Sequence, residues 1–230
     1  DNIIVVGQTS GKWTNYSSGS YHTAWLIQKW TPDGQTLLWQ KVWQDNYPAW
    51  SPWQSANSVV VDADDNIIVT GSSFGYWDST RHQWVTFKFN KDGGVIWGPV
   101  RANFVGDENL PDIAYGVDVD SQGNAIVAGM RGVSGSGDYR NFDWHVRKYA
   151  AADGALIWQD TYSGAANLYD VARNVKVDEN DDVLVVGYTN KGTSNVAGVD
   201  YDRLMIKYAA EGVDGFGQRL WTKTLETGAG

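Results

Sequence analysis

Two short acidic segments have the residue types and the spacing of a calcium site. In each of them, side-chain oxygens recur at every second position, as they do at the start of a calcium-binding loop. The residues are Asp62, Asp64 and Asn66 in one segment and Asp178, Asn180 and Asp182 in the other. A complete loop also needs glycine at its sixth position, where these segments have Ile67 and Val183. Because Asp and Asn equally favour tight turns, the segments predict either hairpin turns or calcium sites.

Aromatic residues outside the regular sequence pattern are candidates for ligand or partner binding. Tryptophan and tyrosine fill pockets on partner proteins and stack on sugar rings, so loops rich in both are typical of binding surfaces. The candidates are Trp13, Tyr47, Trp50, Trp53, Tyr76 and Trp77. The same side chains could instead cover the apolar ends of neighbouring sheets, because large exposed apolar patches are uncommon on soluble proteins.

Residues that commonly carry catalysis form no recognisable pattern. The histidines His22, His82 and His145 lie in different parts of the chain, and there are no cysteines. The sequence lacks the motifs of serine hydrolases, zinc proteases and nucleotide-binding loops. A net charge of −9 would repel nucleic acid and anionic membranes, so neither is an expected partner. No apolar run is long enough to predict a membrane span.

These residues belong to a unit of about 60 residues that occurs four times. The apolar runs DNIIVVG, DNIIVTG, GNAIVAG and DDVLVVG end at positions 7, 71, 129 and 187. A lysine followed by an aromatic residue keeps the same period, at Lys29, Lys88, Lys148 and Lys207. A tryptophan does so as well, at Trp39, Trp97, Trp158 and Trp221. The chain therefore divides into repeats at approximately 1–53, 54–111, 112–169 and 170–230.

Each repeat predicts four antiparallel strands and no helix. Its opening run, such as YGVDVD, alternates apolar and polar residues and ends in an acidic turn. The second run is apolar almost throughout, which predicts a strand buried on both faces. The third, such as WHVRKY, alternates and predicts a strand with one solvent-facing side. A DG-type turn leads to the fourth run, which includes the repeated tryptophan. Four strands in each repeat and no helix predict an all-β protein, a β-propeller of four-stranded antiparallel blades.

The combined pattern resembles the SBBP-type repeat, the seven-bladed β-propeller repeat of bacterial and archaeal surface proteins. The third unit carries the resemblance best, at Ala114, Val117, Val119, Asp120, Asn124, Val127, Gly129, Asp143, Trp144, Lys148, Tyr149, Asp153, Gly154 and Trp158. The fourth unit departs by having Arg203 in the place of Trp144 and by lengthening its last turn. The resemblance covers essentially the whole chain. It implies an extracellular, cell-surface or periplasmic location and no particular reaction.

The function expected from the sequence is that of a non-catalytic binding or scaffolding module, which contacts partner proteins through its aromatic-rich loops. Carbohydrate binding by the same loops is the alternative. A third hypothesis is a redox enzyme that uses pyrroloquinoline quinone, because AADGALIW resembles the tryptophan-docking repeat of quinoprotein dehydrogenases. No cofactor is expected, and calcium at the acidic segments is the alternative.

The number of repeats predicts that further blades belong to the working protein. Three repeats are complete, and the first lacks its opening strand. Since propellers close with about four to eight blades, we expect a segment of a larger propeller. A closed four-bladed ring is the alternative.

Overall fold

The described part of the chain is built of β-strands. The computed structural model describes residues 1–12, 21–44, 54–73, 83–102, 110–134, 141–191 and 201–226. These residues form fifteen strands, and no helix occurs among them. A helix that could cross a membrane is accordingly not found in these ranges. The predicted all-β class is confirmed.

The strands form four antiparallel sheets, one for each repeat. The first sheet contains β1 (Ile3–Lys12), β2 (Tyr21–Trp30) and β3 (Leu37–Trp43). The second contains β4 (Ser55–Val61), β5 (Ile67–Ser73), β6 (Gln83–Phe89) and β7 (Val95–Ala102). The third contains β8 (Ile113–Val119), β9 (Ala125–Ser134), β10 (Asn141–Tyr149) and β11 (Leu156–Tyr162). The fourth contains β12 (Asp170–Val177), β13 (Val183–Asn190), β14 (Tyr201–Tyr208) and β15 (Arg219–Leu225). Spatial order follows chain order in every sheet.

This meander gives each sheet two different ends. Because neighbouring strands run antiparallel, the connections between the first and second strands and between the third and fourth strands emerge at one end. We call this end the turn edge; it includes the acidic hairpins at 62–66, 120–124 and 178–182. We call the opposite end the loop edge. It receives the connections between second and third strands and those between successive sheets.

The sheets pack face to face in chain order, with an apolar layer between each pair. Trp25 and Ile27 of the first sheet meet Phe87 of the second. Trp84 and Trp97 of the second sheet meet residues of β8 and β9, while Trp144 and Trp158 of the third meet residues of β12, β13 and β14. The opening strand of each later sheet lies against the sheet before it, and β8 contacts both β4 and β12. Most of the repeated tryptophans are therefore core residues between sheets.

Burial of the strands confirms one sequence prediction and corrects another. The second strand is buried on both faces as expected, along all of β5 and along β9 from Ala125 to Met130. The third strand was expected to have one solvent-facing side, and this prediction is wrong for β6 and β10, which are buried on both faces. The polar side chains that produce the alternation, such as Thr86, Lys88 and Lys148, are buried and bonded inside the protein.

One face of the fourth sheet, like one face of the first, has no described sheet packed on it. The last strand of the fourth sheet, β15, is exposed along its whole length, and Trp221 is 37% exposed where Trp158 is fully buried. The longer last turn of this repeat reaches back to the third sheet. There, the backbone N–H of Gln159 donates to the carbonyl oxygen of Gly215, and that of Gly217 donates to the carbonyl oxygen of Gln159.

Candidate functional site

The loop edge contains the positions that the sequence singles out for binding. The six candidate aromatics, Trp13, Tyr47, Trp50, Trp53, Tyr76 and Trp77, all lie outside the described residues. The strands that flank them are described. Trp13 directly follows β1, residues 45–53 connect β3 to β4, and residues 74–82 connect β5 to β6. The described strand ends that flank these three connections all lie at the loop edge.

A cleft of about 660 Å³ opens at the loop edge of the fourth sheet. We call it the tyrosine–arginine cleft. Its lining residues are Arg173, Val186, Gly187, Tyr188, Tyr201, Arg203, Leu204, Met205 and Leu225. The cleft forms on the face that carries Arg203, where each of the other sheets has a buried tryptophan. Arginine at this position leaves a polar rim above an apolar floor.

Arg173 organises the aromatic side of this cleft. Its guanidinium carbon lies 4.3 Å from the centre of the Tyr115 ring and 5.3 Å from that of Tyr188. Its Nη2 donates a hydrogen bond of 3.0 Å to the Tyr188 hydroxyl oxygen. The Tyr201 ring meets Tyr188 edge to face at 5.1 Å between ring centres. Such a group can stack on a planar or apolar ligand surface while it donates hydrogen bonds to anionic or hydroxyl oxygens.

At the turn edge, the side chains of the acidic segments form hydrogen bonds and ion pairs within the protein. In the first hairpin, Asp62 Oδ1 accepts from the backbone N–H groups of Asp64 and Asn66. Asp62 Oδ2 accepts from the Asn66 side-chain amide and lies 2.9 Å from Lys88 Nζ. Burial alone would raise the pKa of Asp62, but the hydrogen bonds from Lys88 and Asn66 outweigh it and leave the pKa lowered. Both carboxylate oxygens of Asp62, the first residue of the hairpin, therefore accept hydrogen bonds.

The other hairpins repeat this arrangement with their own lysines. Asp120 Oδ2 lies 2.9 Å from Lys148 Nζ, and both side chains are almost fully buried. Lys207 Nζ lies 2.9 Å from Asp178 and 3.0 Å from Asp182. The hydrogen bond from Lys207 is the main cause of the lowered pKa of Asp178. The repeated lysine and the acidic hairpin, two separate features of the sequence, therefore form one structural unit.

The same lysines also connect successive sheets. Lys29 Nζ donates to the carbonyl oxygen of Lys91 at 2.8 Å, and Lys148 Nζ donates to that of Ala210 at 2.8 Å. Each acceptor lies in the turn between the third and fourth strands of the next repeat. Lys88 makes the corresponding contact with Ala151 at 3.2 Å. The turn edge is therefore held together within and between the repeats.

Calcium binding at Asp62, Asp64, Asn66, Asp178, Asn180 and Asp182 stays a prediction. The hydrogen bonds of the hairpins account for the spacing of these residues without a metal. Within the described ranges, no group of three or more His, Asp or Glu side chains has an arrangement that could hold a metal ion.

Three carboxyl groups lie at the loop edge of the third and fourth sheets; Asp143 and Asp170 are buried, and Asp112 is partly buried. Burial raises the pKa of Asp112 to about 7, that of Asp170 to about 6, and also that of Asp143. Asp112 accepts from the Gly132 N–H at 2.8 Å, while Asp170 accepts from the Gly164 N–H and the Thr189 hydroxyl. Raised pKa values can mark catalytic sites, but Asp112 and Asp170 accept from backbone N–H groups and so hold the backbone at the loop edge in place. None of the three was predicted from the sequence as a site residue.

The contacts of His145 indicate a structural role. Burial lowers its pKa well below the ordinary value, so the ring is neutral near pH 7. Arg147 Nε donates to His145 Nε2 at 3.2 Å, which leaves Nδ1 as the donor to the Thr161 hydroxyl at 2.8 Å. The ring also packs edge-on against Trp84 of the preceding sheet. These contacts place the only histidine with a described side chain in the packing between sheets.

Replacing Asp112 by Asn should change how stability depends on pH. The folded-state pKa of Asp112 is raised above its unfolded value, so the folded protein binds this proton more tightly, and stability falls as pH rises from about 4 to about 7. Asn keeps the acceptor for the Gly132 N–H and removes the titration. A shift of this size corresponds to at most about 4 kcal/mol, and partial solvent exposure of Asp112 reduces it, so we expect Asp112→Asn to gain about 2 to 4 kcal/mol relative to the parent across this range, with no further gain above pH 7.5. Urea unfolding at pH 5, 6, 7 and 8 measures this difference; parallel pH profiles would contradict it.

Comparisons with known proteins add no family assignment. No profile of a known protein family matches the chain, and no curated protein sequence matches it significantly. The resemblance to the SBBP-type repeat stays a prediction that rests on the residues of the repeat itself.

Proposed function

We propose that the chain is part of a β-propeller of the SBBP type and serves as a non-catalytic binding or scaffolding module of a secreted or cell-surface protein. Four features of the fold support the propeller. The repeats form antiparallel meanders, the sheets stack in chain order, the opening strands β4, β8 and β12 lie side by side, and tryptophans fill the layers between sheets. Partner proteins would bind at the loop edge.

The observation that best supports this function is the difference between the turn edge and the loop edge. At the turn edge the hairpins between first and second strands have the same length in all three complete repeats, and the repeated lysines hold them. At the loop edge the connections differ in length and sequence between repeats and contain the candidate aromatics. A rigid framework with variable connections at one end is typical of proteins that use loops for recognition.

We expect the aromatic connection between β3 and β4 to contribute strongly to partner binding. The partner is first identified by photo-crosslinking the biotinylated chain to a cell-envelope extract of its own organism, and then purified. Trp50→Ala combined with Trp53→Ala should weaken binding by about 30-fold or more, because buried tryptophans dominate interface energies. Biolayer interferometry with the purified partner measures the change.

The matched control for this variant is Phe216→Ala. Phe216 is 64% exposed and lies in the long turn at the opposite edge, so its removal should leave partner binding unchanged. If both variants weaken partner binding equally, the loop edge is not the interface. If both variants bind the partner as well as the parent does, the connection between β3 and β4 is not part of the interface.

Carbohydrate binding is the second candidate function, and the tyrosine–arginine cleft favours it. Tyr188 and Tyr201 offer ring faces and edges, and Arg173 and Arg203 offer planar donors at the rim of the cleft. A glycan array distinguishes the two functions. Retained glycan binding by the Trp50/Trp53 double variant, together with its loss in Arg173→Ala, would favour sugar recognition in the cleft over protein binding through the loop.

A further inference from the structure

The long turn of the fourth repeat, residues 209–218, contains a two-residue hairpin. Val213 and Phe216 exchange both of their backbone hydrogen bonds, at 2.7 and 2.9 Å. The two residues between them, Asp214 and Gly215, have φ values of 52° and 80°, as in a type I′ turn. Both of these residues are exposed. The tip of the long turn is therefore an exposed Asp-Gly pair.

The last turns of the other repeats have an Asp-Gly pair as well, but there the glycine N–H is hydrogen-bonded. The pairs are Asp33–Gly34, Asp92–Gly93 and Asp153–Gly154. Each glycine N–H donates to a carbonyl oxygen of its own turn, at 2.9, 2.9 and 3.0 Å. The carboxylates of Asp33 and Asp153 are bonded too, because each accepts from the backbone N–H two residues further along the chain. The chain thus presents one dipeptide in two different hydrogen-bonding states.

Asp214 and Gly215 form the pair in the unbonded state. No described residue accepts a hydrogen bond from the Gly215 N–H, and none donates to the Asp214 carboxylate. The type of turn explains this difference. In the short turns the glycine N–H closes the turn, whereas in the two-residue hairpin Val213 and Phe216 make the closing bonds. The Gly215 nitrogen and the Asp214 side chain are therefore both available to react with each other.

We propose that Asp214 is a site of spontaneous isomerisation to isoaspartate, and that this modification releases the long turn from the third sheet. The Gly215 nitrogen attacks Cγ of the protonated Asp214 carboxyl, so that a C–N bond forms, a C–O bond breaks and the hydroxyl leaves as water with the amide proton. Glycine has no side chain to obstruct this attack. Water then opens the five-membered imide at the main-chain carbonyl carbon of Asp214 and breaks its bond to nitrogen. The main chain gains one carbon, and the mass is unchanged.

The hairpin is also the part of the long turn that bonds to the third sheet. The Gln159 N–H donates to the Gly215 carbonyl oxygen, and the Gly217 N–H donates to the Gln159 carbonyl oxygen, both at 3.0 Å. Gly212 and Gly217 lie against Trp158, so closely that a methyl group on either would come within 2.9 Å of its side chain. Trp158 is fully buried. An extra main-chain carbon displaces the Gly215 carbonyl, which breaks the contact with Gln159 and loosens the cover over Trp158.

Tryptic peptide mapping of the aged protein tests the site. The 230-residue chain is stored folded for several weeks in weakly acidic buffer, because the first step needs the protonated carboxyl. Reversed-phase chromatography separates isoaspartyl peptides of unchanged mass, and electron-transfer fragmentation locates the modified residue. We expect at least about fivefold more isoaspartate in peptide 208–219 than in any peptide with another Asp-Gly pair, because those pairs must first break the glycine hydrogen bond.

Storage of the same chain in urea is the matched control. Unfolding removes the hydrogen bonds of all four turns, so the four Asp-Gly pairs should then isomerise at similar rates. Similar rates in the folded chain would overturn the proposal. So would an excess at Asp214 that persists in urea, because the local sequence rather than the unbonded N–H would then select this residue.

Hydrogen exchange tests the release of the long turn. In the isoaspartyl form, the Gln159 amide should exchange at least about fivefold faster than in the unmodified fraction of the same sample, because its hydrogen bond is lost. Peptides from the first two sheets should exchange at unchanged rates. Asp214→Asn supplies more of the modified form, since an Asn-Gly pair forms the same imide with loss of ammonia. Unchanged exchange of Gln159 in isoaspartyl protein from either source would overturn the proposed release.

Discussion

Replacing Lys148 by methionine should lower the free energy of unfolding by about 3 to 5 kcal/mol. Lys148 and its partner Asp120 are almost fully buried, and their charged atoms are 2.9 Å apart. Methionine retains most of the apolar stem and removes the ammonium, so the Asp120 carboxylate is left buried without its cation. The substitution also removes the hydrogen bond from Lys148 to the Ala210 carbonyl of the next sheet. Urea unfolding followed by tryptophan fluorescence measures the loss.

The chain provides a matched control for this substitution. Lys207 has the same position in the fourth repeat and pairs with Asp178 and Asp182, but these side chains are partly exposed. Because solvent screens partly exposed pairs, Lys207→Met should cost much less stability than Lys148→Met. Adding Asp120→Asn to Lys148→Met should recover about 1 kcal/mol or more, since it removes the uncompensated charge. Equal losses in Lys148→Met and Lys207→Met would show that burial does not determine the strength of these pairs.

The strands could be predicted because their signals are local. A period of two, a buried apolar run and a turn residue are all contained within a few neighbouring positions. The acidic hairpins illustrate this directly. Asp65 and Asp181 have positive φ values of 62°, and Gly123 at the equivalent place has 78°, as expected of residues that tolerate left-handed backbone angles. Turn chemistry thus gave both the position and the conformation of these hairpins.

Partnerships between distant residues could not be predicted in the same way. The repeated lysine and the acidic hairpin were both visible, but about 26 residues separate Lys88 from Asp62, and the carbonyl that Lys88 also reaches belongs to the next repeat. For the same reason the third strand was assigned a solvent-facing side. Alternation shows which residues are polar, whereas burial depends on partners elsewhere in the chain.

The tyrosine–arginine cleft was missed because its residues come from different strands of the fourth repeat, and because Tyr115, which Arg173 contacts, belongs to the third repeat. Tyr115 lies on β8, Arg173 on β12, Tyr188 on β13 and Tyr201 at the start of β14. None of them belongs to the repeated pattern. The one available signal was Arg203, which replaces the repeated tryptophan of the other units. A departure from a structural repeat can therefore mark a surface that the repeat normally buries.

The two edges of the stacked sheets have different physical roles. At the turn edge, carboxylates and lysines neutralise one another within each repeat and bond to the next repeat. At the loop edge, Asp112 and Asp170 hold backbone N–H groups at a cost in desolvation, which their raised pKa values reflect. The turn edge therefore stabilises the fold above the ordinary carboxyl pKa. The loop edge favours the folded state most strongly at lower pH, so the net pH dependence is a balance of opposing contributions.

Replacing Gly129 by alanine should destabilise the protein by about 3 kcal/mol or more. Gly129 pairs with Ala114 of β8, and a methyl group at this position would collide with the Ile113 carbonyl oxygen. A backbone oxygen cannot rotate away as a flexible side chain can, so relief requires that β8 separate from β9. This separation would also disturb the apolar layer against the second sheet, to which Ala114 and Val127 contribute. Thermal and urea unfolding measure the loss.

Gly7→Ala is the matched control for Gly129→Ala, because Gly7 ends the equivalent apolar run in the first repeat. Among the described residues, no atom lies within 4 Å of a methyl group at Gly7, and alanine is preferred over glycine inside a strand. Gly7→Ala should therefore leave stability unchanged or raise it by about 0.5 kcal/mol. Opposite effects of one substitution in two nearly identical sequence contexts would show that the glycine is required by the paired opening strand. Similar losses at both positions would instead indicate that β1 needs glycine for a reason unrelated to strand pairing.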